Sequence, residues 1–139
     1  MKKHANLITV IAIFVVVTLI SVFKGGEAIL LDFDEDSLSI SGVGDFSCTV
    51  NYRDIDTVKL LDHADLGTAV DGVKSGLYSY GVWHSDSWGD YALCVTNKAD
   101  SFIIITETDG HVTVFNYQNT SDTELLFEAF RQRLAEYNA

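Results

Sequence analysis

The chain has 139 residues, 20 acidic against 9 basic side chains, a formal net charge of −11, two cysteines and no proline. That length holds one small domain, and that charge repels phosphate backbones, which excludes nucleic acid and speaks against anionic lipid head groups. Neither cysteine has a CxxC partner or a histidine at zinc-ligand spacing, so no metal or other cofactor is expected.

The first element is an uncharged run over 5–23, ANLITVIAIFVVVTLISVF. As a helix it spans ~28 Å, the thickness of a bilayer core. A cleavable signal peptide is the rival reading. It requires a shorter apolar stretch and a small-x-small site, whereas Val22, Phe23 and Lys24 stand where small residues are wanted. An uncleaved anchor and short tether over 1–26, ahead of a domain over 27–139, is the expectation. Lys2, Lys3 and the amino terminus precede the run and only Lys24 closely follows it, which places the N-terminus in the cytoplasm and the domain outside the cell membrane. All 20 acids lie beyond residue 24 against seven basic residues from Lys24 onward, so the chain from Lys24 onward carries −13. Gly25-Gly26 is a tether of about 10 Å reach, which holds that domain against the membrane.

From Ala28 the pattern changes to period two. Ile29, Leu31 and Phe33 alternate with polar positions, 34–37 is a turn, and Leu38 and Ile40 resume the alternation as a hairpin. After a turn at 42–45, Phe46, Cys48, Val50 and Tyr52 share one strand face, and 57–62 reads as a fourth strand. The stretch 63–90 reads as a long loop rich in Gly, Asp and Ser. Strands are expected at 91–97, 101–108 and 111–117, the last two joined by Asp109-Gly110, a strong hairpin signal. Ser121-Asp122-Thr123-Glu124 has the capping-box pattern, and Leu126, Phe130, Leu134 and Tyr137 then form one stripe with Phe127 beside it, predicting an amphipathic helix over 121–137.

Within 63–90, the segment GLYSYGVWHSDSWGDY at 76–91 holds both tryptophans of the chain. Tyr78, Tyr80, Trp83, His84, Asp86 and Trp88 are the candidate residues for contact with a ligand or partner, because exposed aromatic side chains supply contact area at binding surfaces. Self-packing of the aromatics, with the glycines allowing tight turns, is the competing explanation, and interfacial tryptophans at a membrane are a third. His84, Asp86 and Asp90, or Asp62, His63 and Asp65, bring imidazole and carboxylate together, but neither run matches a cation loop. No G-x-S-x-G, H-E-x-x-H or phosphate-cradling glycine loop is present, so no catalytic residue is assigned. Cys48 and Cys94 lie in strand-like segments and are read either as a disulfide of an exported domain or as buried free thiols.

The order of anchor, about seven antiparallel strands and one terminal amphipathic helix resembles the pleckstrin-homology architecture. FSCTVNYRDIDTVKLLD and IIITETDGHVTVFNYQNTSDTELLFEAFRQRL resemble the corresponding parts of the bacterial pleckstrin-homology-like domains. The resemblance spans roughly 28–137. It implies a mainly β fold: an N-terminal transmembrane helix, then a PH-like barrel of about seven antiparallel strands capped by the C-terminal helix, without catalytic residues. Eukaryotic relatives bind phosphoinositides through basic residues in the first strands. Here LLDFDEDSLSIS, 30–41, has four acids and no Lys or Arg.

The expected function is a non-enzymatic, membrane-anchored interaction module that binds a protein partner or forms a homo-oligomer at the membrane surface, with the lipid bilayer contacted only by the N-terminal helix. The alternative is a module for a sugar, peptide or envelope fragment, using 76–91. Compartment-specific reporters fused after Ala139 test the orientation: activity outside the cell is expected, and activity inside overturns the charge argument.

Overall fold

The computed structural model describes residues 28–139. Nine strands run in order: β1 (Leu30–Phe33), β2 (Ser37–Ser41), β3 (Cys48–Asn51), β4 (Ile55–Leu61), β5 (Thr68–Lys74), β6 (Tyr78–Ser85), β7 (Gly89–Thr96), β8 (Phe102–Glu107) and β9 (Val112–Phe115). One helix, α1 (Thr120–Tyr137), comes after them, and a single 3-10 turn at Tyr52–Asp54 joins β3 to β4.

The first three strands make a small antiparallel sheet. Its alternation puts Leu31 opposite Ile40 and Leu38 opposite Val50, all buried, while Asp32 and Thr49 face solvent. The other six strands form a second sheet in the order β4-β8-β9-β7-β6-β5. Its inner face carries Cys94, Ile103, Ile105 and Phe115, with Val58 and Leu60 beside them, and is covered by the small sheet and by Leu126, Phe127 and Phe130 of α1. Its outer face carries a second cluster of Trp83, Tyr91, Leu93, Val95, Ile104, Val112 and Val114.

That outer face is buried because the sheet curls. The link 62–67 joins β4 to β5, the two opposite edges of a six-stranded sheet. Laid flat, those edges would be about 24 Å apart, and the link would reach that far only if fully extended. Instead it turns, with Gly67 N donating to Asp65 Oδ1, and it crosses the outer face, where the Tyr91 hydroxyl donates to Leu66 O at 2.6 Å. Bending of the β5–β6 ribbon is concentrated where Gly72 pairs with Gly81 beside a register shift at Ala69/Asp71. A side chain at Gly81, whose φ is +102°, would strike the Gly72 backbone, and one at Gly72 would strike the Trp83 indole that lies over it.

These features correct the expected architecture. The described residues are mainly β with one C-terminal helix, but they form nine strands in two sheets rather than a barrel of about seven antiparallel strands, and β7 pairs with β9 in parallel. The reason is topological: β9 inserts between β7 and β8 instead of adding outside β8. The transmembrane helix of that expectation, over 5–23, lies outside the described residues. Among the described residues no helix is long and apolar enough to cross a membrane.

Two local boundaries also move. The expected loop 63–90 contains all of β5 and β6 and ends inside β7. Helix α1 starts at Thr120 rather than at 121, because the cap is not the Ser121 that the S-x-x-E pattern implies but Asn119, two residues before it. Its Oδ1 accepts from Asp122 N at 2.8 Å, and its Nδ2 donates to Asp122 Oδ2. Thr123, which the S-x-x-E pattern includes in its box, is buried and bonded to the Tyr117 backbone instead.

Where β9 ends, the side chain of Asn116 continues the pairing with β7. Its Oδ1 accepts from Thr96 N at 2.7 Å and its Nδ2 donates to Thr96 O at 3.0 Å, all of it buried. Asn116→Ala leaves both Thr96 groups unpaired in the interior, and the expected loss is about 3 kcal/mol of stability by urea denaturation. A loss under ~1 kcal/mol would show that the ladder end is held by other contacts.

Candidate functional site

The structure separates the aromatic residues of 76–91. Along β6 the side chains alternate, so Tyr78 and Tyr80 pack against the inner cluster while Trp83 belongs to the outer one. Trp83 is only 5% exposed, and its indole Nε1 donates to Tyr80 O. Trp88, in the β6–β7 turn, lies edge-on to Tyr91 with ring centroids 5.1 Å apart. His84 Nδ1 and Asp90 Oδ1 are 2.7 Å apart on the exposed strand ends, and Asp86 is exposed at the turn. The six candidates therefore do not make one surface. His84, Asp86 and Trp88 are wholly or partly accessible near one tip, while Tyr78, Tyr80 and Trp83 serve the two cores.

Cys48 and Cys94 are free thiols. Cys94 is fully buried in the inner cluster and Cys48 is half-buried at its rim. Among the described residues, no group of three or more His, Cys, Asp or Glu side chains is placed to hold a metal ion.

A different feature emerges beside β4. This strand is an edge of the six-stranded sheet and pairs with β8 alone among the described residues. Next to it, the C-terminal half of α1 leaves a cleft of about 220 Å³ lined by Tyr52, Ile55, Asp56, Val58, Arg131, Leu134 and Asn138. Arg131, Leu134 and Asn138 recur every three or four residues, so they project from one side of the helix. On the strand side, Ile55 and Val58 belong to the inner cluster while Asp56 is exposed. The cleft is therefore mixed in character and more polar than apolar at its surface, with Ile55, Val58 and Leu134 beside the Asp56 carboxylate, the Arg131 guanidinium and the Asn138 carboxamide.

Tyr52 fixes its wall. The ring lies edge-on to Tyr137 at 5.5 Å and tilted against Phe130 at 6.1 Å, and the hydroxyl donates to Asp34 O at 3.1 Å. Arg133 Nη2 donates to the same carbonyl at 2.9 Å, so the β1–β2 turn, the 3-10 turn and α1 are tied at one oxygen. Burial pushes the Tyr52 phenol above its ordinary range, with Arg133 opposing that shift, so the hydroxyl stays protonated and donating at neutral pH. Arg131 is held more loosely: its Nη1 is 3.7 Å from Glu128 Oε1, both side chains are more than half exposed, and its guanidinium lies 5.6 Å from the Phe127 ring centre. Such a pair contributes little to stability and leaves the guanidinium available.

The sequence carried a signal for this cleft only in retrospect. Its periodicity makes the helix stripe wholly core-facing. Yet Leu134 is half-buried and Tyr137 is 39% exposed, while Leu126 and Phe130 are fully buried. The stripe thus runs off the end of the core and leaves space between the helix and the sheet edge.

Tryptophan fluorescence checks the placement of the aromatic segment. In Trp88→Phe, the remaining emission from Trp83 is expected to be blue-shifted and weakly quenched by acrylamide. Red-shifted, strongly quenched emission would return Trp83 to an open binding surface.

No family model, curated protein or solved structure matches this chain. The pleckstrin-homology resemblance is neither supported nor opposed on that ground, and the function is read from the chain's own geometry.

Proposed function

We propose that the domain is a non-enzymatic interaction module that binds an extended segment of a protein partner along β4, with one or two partner side chains entering the cleft under α1. The observation that carries this reading is the coincidence of a sheet edge unpaired among the described residues with a cleft of mixed polarity at the same strand. Main-chain groups of an edge strand supply affinity to any extended chain, and an adjacent pocket selects among side chains. At about 220 Å³ the cleft is smaller than the roughly 300–1,000 Å³ of sites that enclose whole small ligands, and it suits a side chain better than a cofactor. Asp56 and Arg131 at its rim favour a segment presenting both charge signs in sequence. The −13 carried from Lys24 onward steers partners whose overall charge is positive, so association should slow as salt rises.

Both sheet edges carry a register shift and charged residues, at Ala69/Asp71 with Asp71 and Lys74 in β5 and at Ile55/Thr57 with Asp56 and Lys59 in β4, so the cleft lined by Ile55, Val58 and Leu134 is what favours β4.

Selection of extended peptides against the full-length chain, followed by hydrogen exchange of the complexes, tests the proposal. Ligands are expected to protect amides of 55–61. The double change Asp56→Arg with Arg131→Glu is expected to weaken them about tenfold or more while leaving the melting temperature unchanged. Protection confined to β5 or to 76–91, or unaltered affinity in the double variant, would overturn it. Dimers protected at 55–61 without any peptide would identify the extended segment as a second copy of the chain.

A further inference from the structure

The two sheets share no strand pairing, so the small sheet is held on the large one by side-chain packing and chain continuity. One pair of reactive side chains spans that boundary. Cys48 begins β3 in the small sheet and points inward with Val50, and its Sγ lies 3.9 Å from the Thr113 hydroxyl on β9 of the large sheet. Thr113 and Cys94 are on the same inner face. β7 and β9 run parallel with Ala92 beside Thr113 and Cys94 beside Phe115, which makes Cys94 the diagonal neighbour of Thr113. Cys48 therefore stands over the β7–β9 seam within one side-chain position of Cys94.

We propose that Cys48 and Cys94 are a redox pair, closing to a disulfide between the two sheets when the protein meets a small-molecule disulfide. Cys48 is the entry point because it is half-buried at the rim, while Cys94 has no exposure. The Cys48 thiolate attacks the oxidant, forming a mixed disulfide and releasing one thiolate. Cys94 then gives up its proton and attacks the Cys48 sulfur, releasing the second. Two protein thiols are oxidised and one external disulfide is reduced to two thiols.

The surroundings set the pace of this exchange. Burial raises both thiols above their ordinary range. The Thr113 hydroxyl partly offsets this at Cys48 and Glu107 adds to it, while a charge on Cys48 helps push Cys94 up to about 12. The effect of Cys48 on Cys94 agrees with their closeness. It also means that closure is slow at neutral pH and faster in alkali, where more thiolate is present. Once formed, the bond closes a long loop, from β3 to β7, and restrains the unfolded chain accordingly.

The test uses the full-length chain with oxidised glutathione at pH 8.5 and non-reducing peptide mapping. The expected product is an intramolecular Cys48–Cys94 peptide pair, with the melting temperature raised by roughly 10 °C or more and restored by reductant. Cys48→Ala and Cys94→Ala should each abolish the rise, and the mapping of the unaltered chain is informative even if Cys94→Ala folds poorly. A lasting glutathione adduct on Cys48 with Cys94 still reduced would overturn the proposal, because it would put the sulfurs out of reach of each other. Two unmodified thiols, or a Cys48–Cys48 crosslink between chains, would overturn it equally.

Discussion

The arrangement depends on β9 lying between β7 and β8. All four residues of β9 are buried, Thr113 and Phe115 toward the small sheet and Val112 and Val114 toward the outer cluster, so this one strand contributes to both cores. A strand with two covered faces must find all its main-chain partners within the sheet, because water reaches neither side. Ladders to β7 and β8 provide them along its length, and beyond Phe115 the Asn116 carboxamide takes over by pairing with the Thr96 main chain. Asn116 acts there as one more residue of strand, after which the chain is free to turn toward the helix.

The chain beyond β9 is organised by the same region. The turn after β7 must leave a slot one strand wide, and it is pinned to the helix start by Asp100 N donating to the Thr120 hydroxyl at 2.8 Å. Thr123 ties the first turn of α1 back to Tyr117. The direction of α1 is thereby set at its beginning by the end of β9, and its far end drifts from the sheet, with Tyr52 and Tyr137 closing the gap only in part. The cleft beside β4 lies where the helix stripe runs past the core, between the last turns of α1 and the sheet edge.

How far these features were legible in the sequence depends on the range of the interactions. The small sheet was legible because one of its faces is solvated. Leu31, Leu38, Ile40 and Val50 alternate with polar residues, and period two is a local signal. The β8–β9 hairpin was legible from Asp109-Gly110, with Gly110 at φ +93°. The helix was legible from its stripe, although its cap was displaced: a local S-x-x-E match competes with Asn119, and only the tie of Thr123 to Tyr117 decides between them. β5 was not legible. TAVDGVK has no alternation, since nearly every residue is exposed, and its glycine and aspartate imitate a loop. Nor was the β9 slot, because the partner that makes β7 a parallel neighbour arrives about twenty residues later and no local pattern records it. The aromatic segment misled for a related reason. Period two in Tyr78, Tyr80 and the odd-numbered Trp83 assigns them to opposite faces, but which faces are covered depends on a curl set by Gly72 and Gly81.

The two edges of the large sheet show how the chain uses that curl. Bringing β5 round over the outer face hides Trp83 and Leu93 but leaves Val70, Val73 and Val82 on the convex ribbon, 60%, 43% and 39% exposed. Apolar side chains scattered on a convex surface bury little against a flat partner, and Asp71 and Lys74 interrupt them. β4 has the opposite setting. Ile55, Asp56 and Val58 line a concavity, so a strand laid along it gains main-chain bonds and side-chain contacts of mixed polarity together. Binding there adds to the sheet at the edge farthest in strand order from the flexed β5–β6 ribbon, and on the side where Tyr52, Arg133 and Asp34 already fix the geometry. A wall already held by these bonds needs little further ordering on association, which favours the β4 edge as the place where affinity is gained.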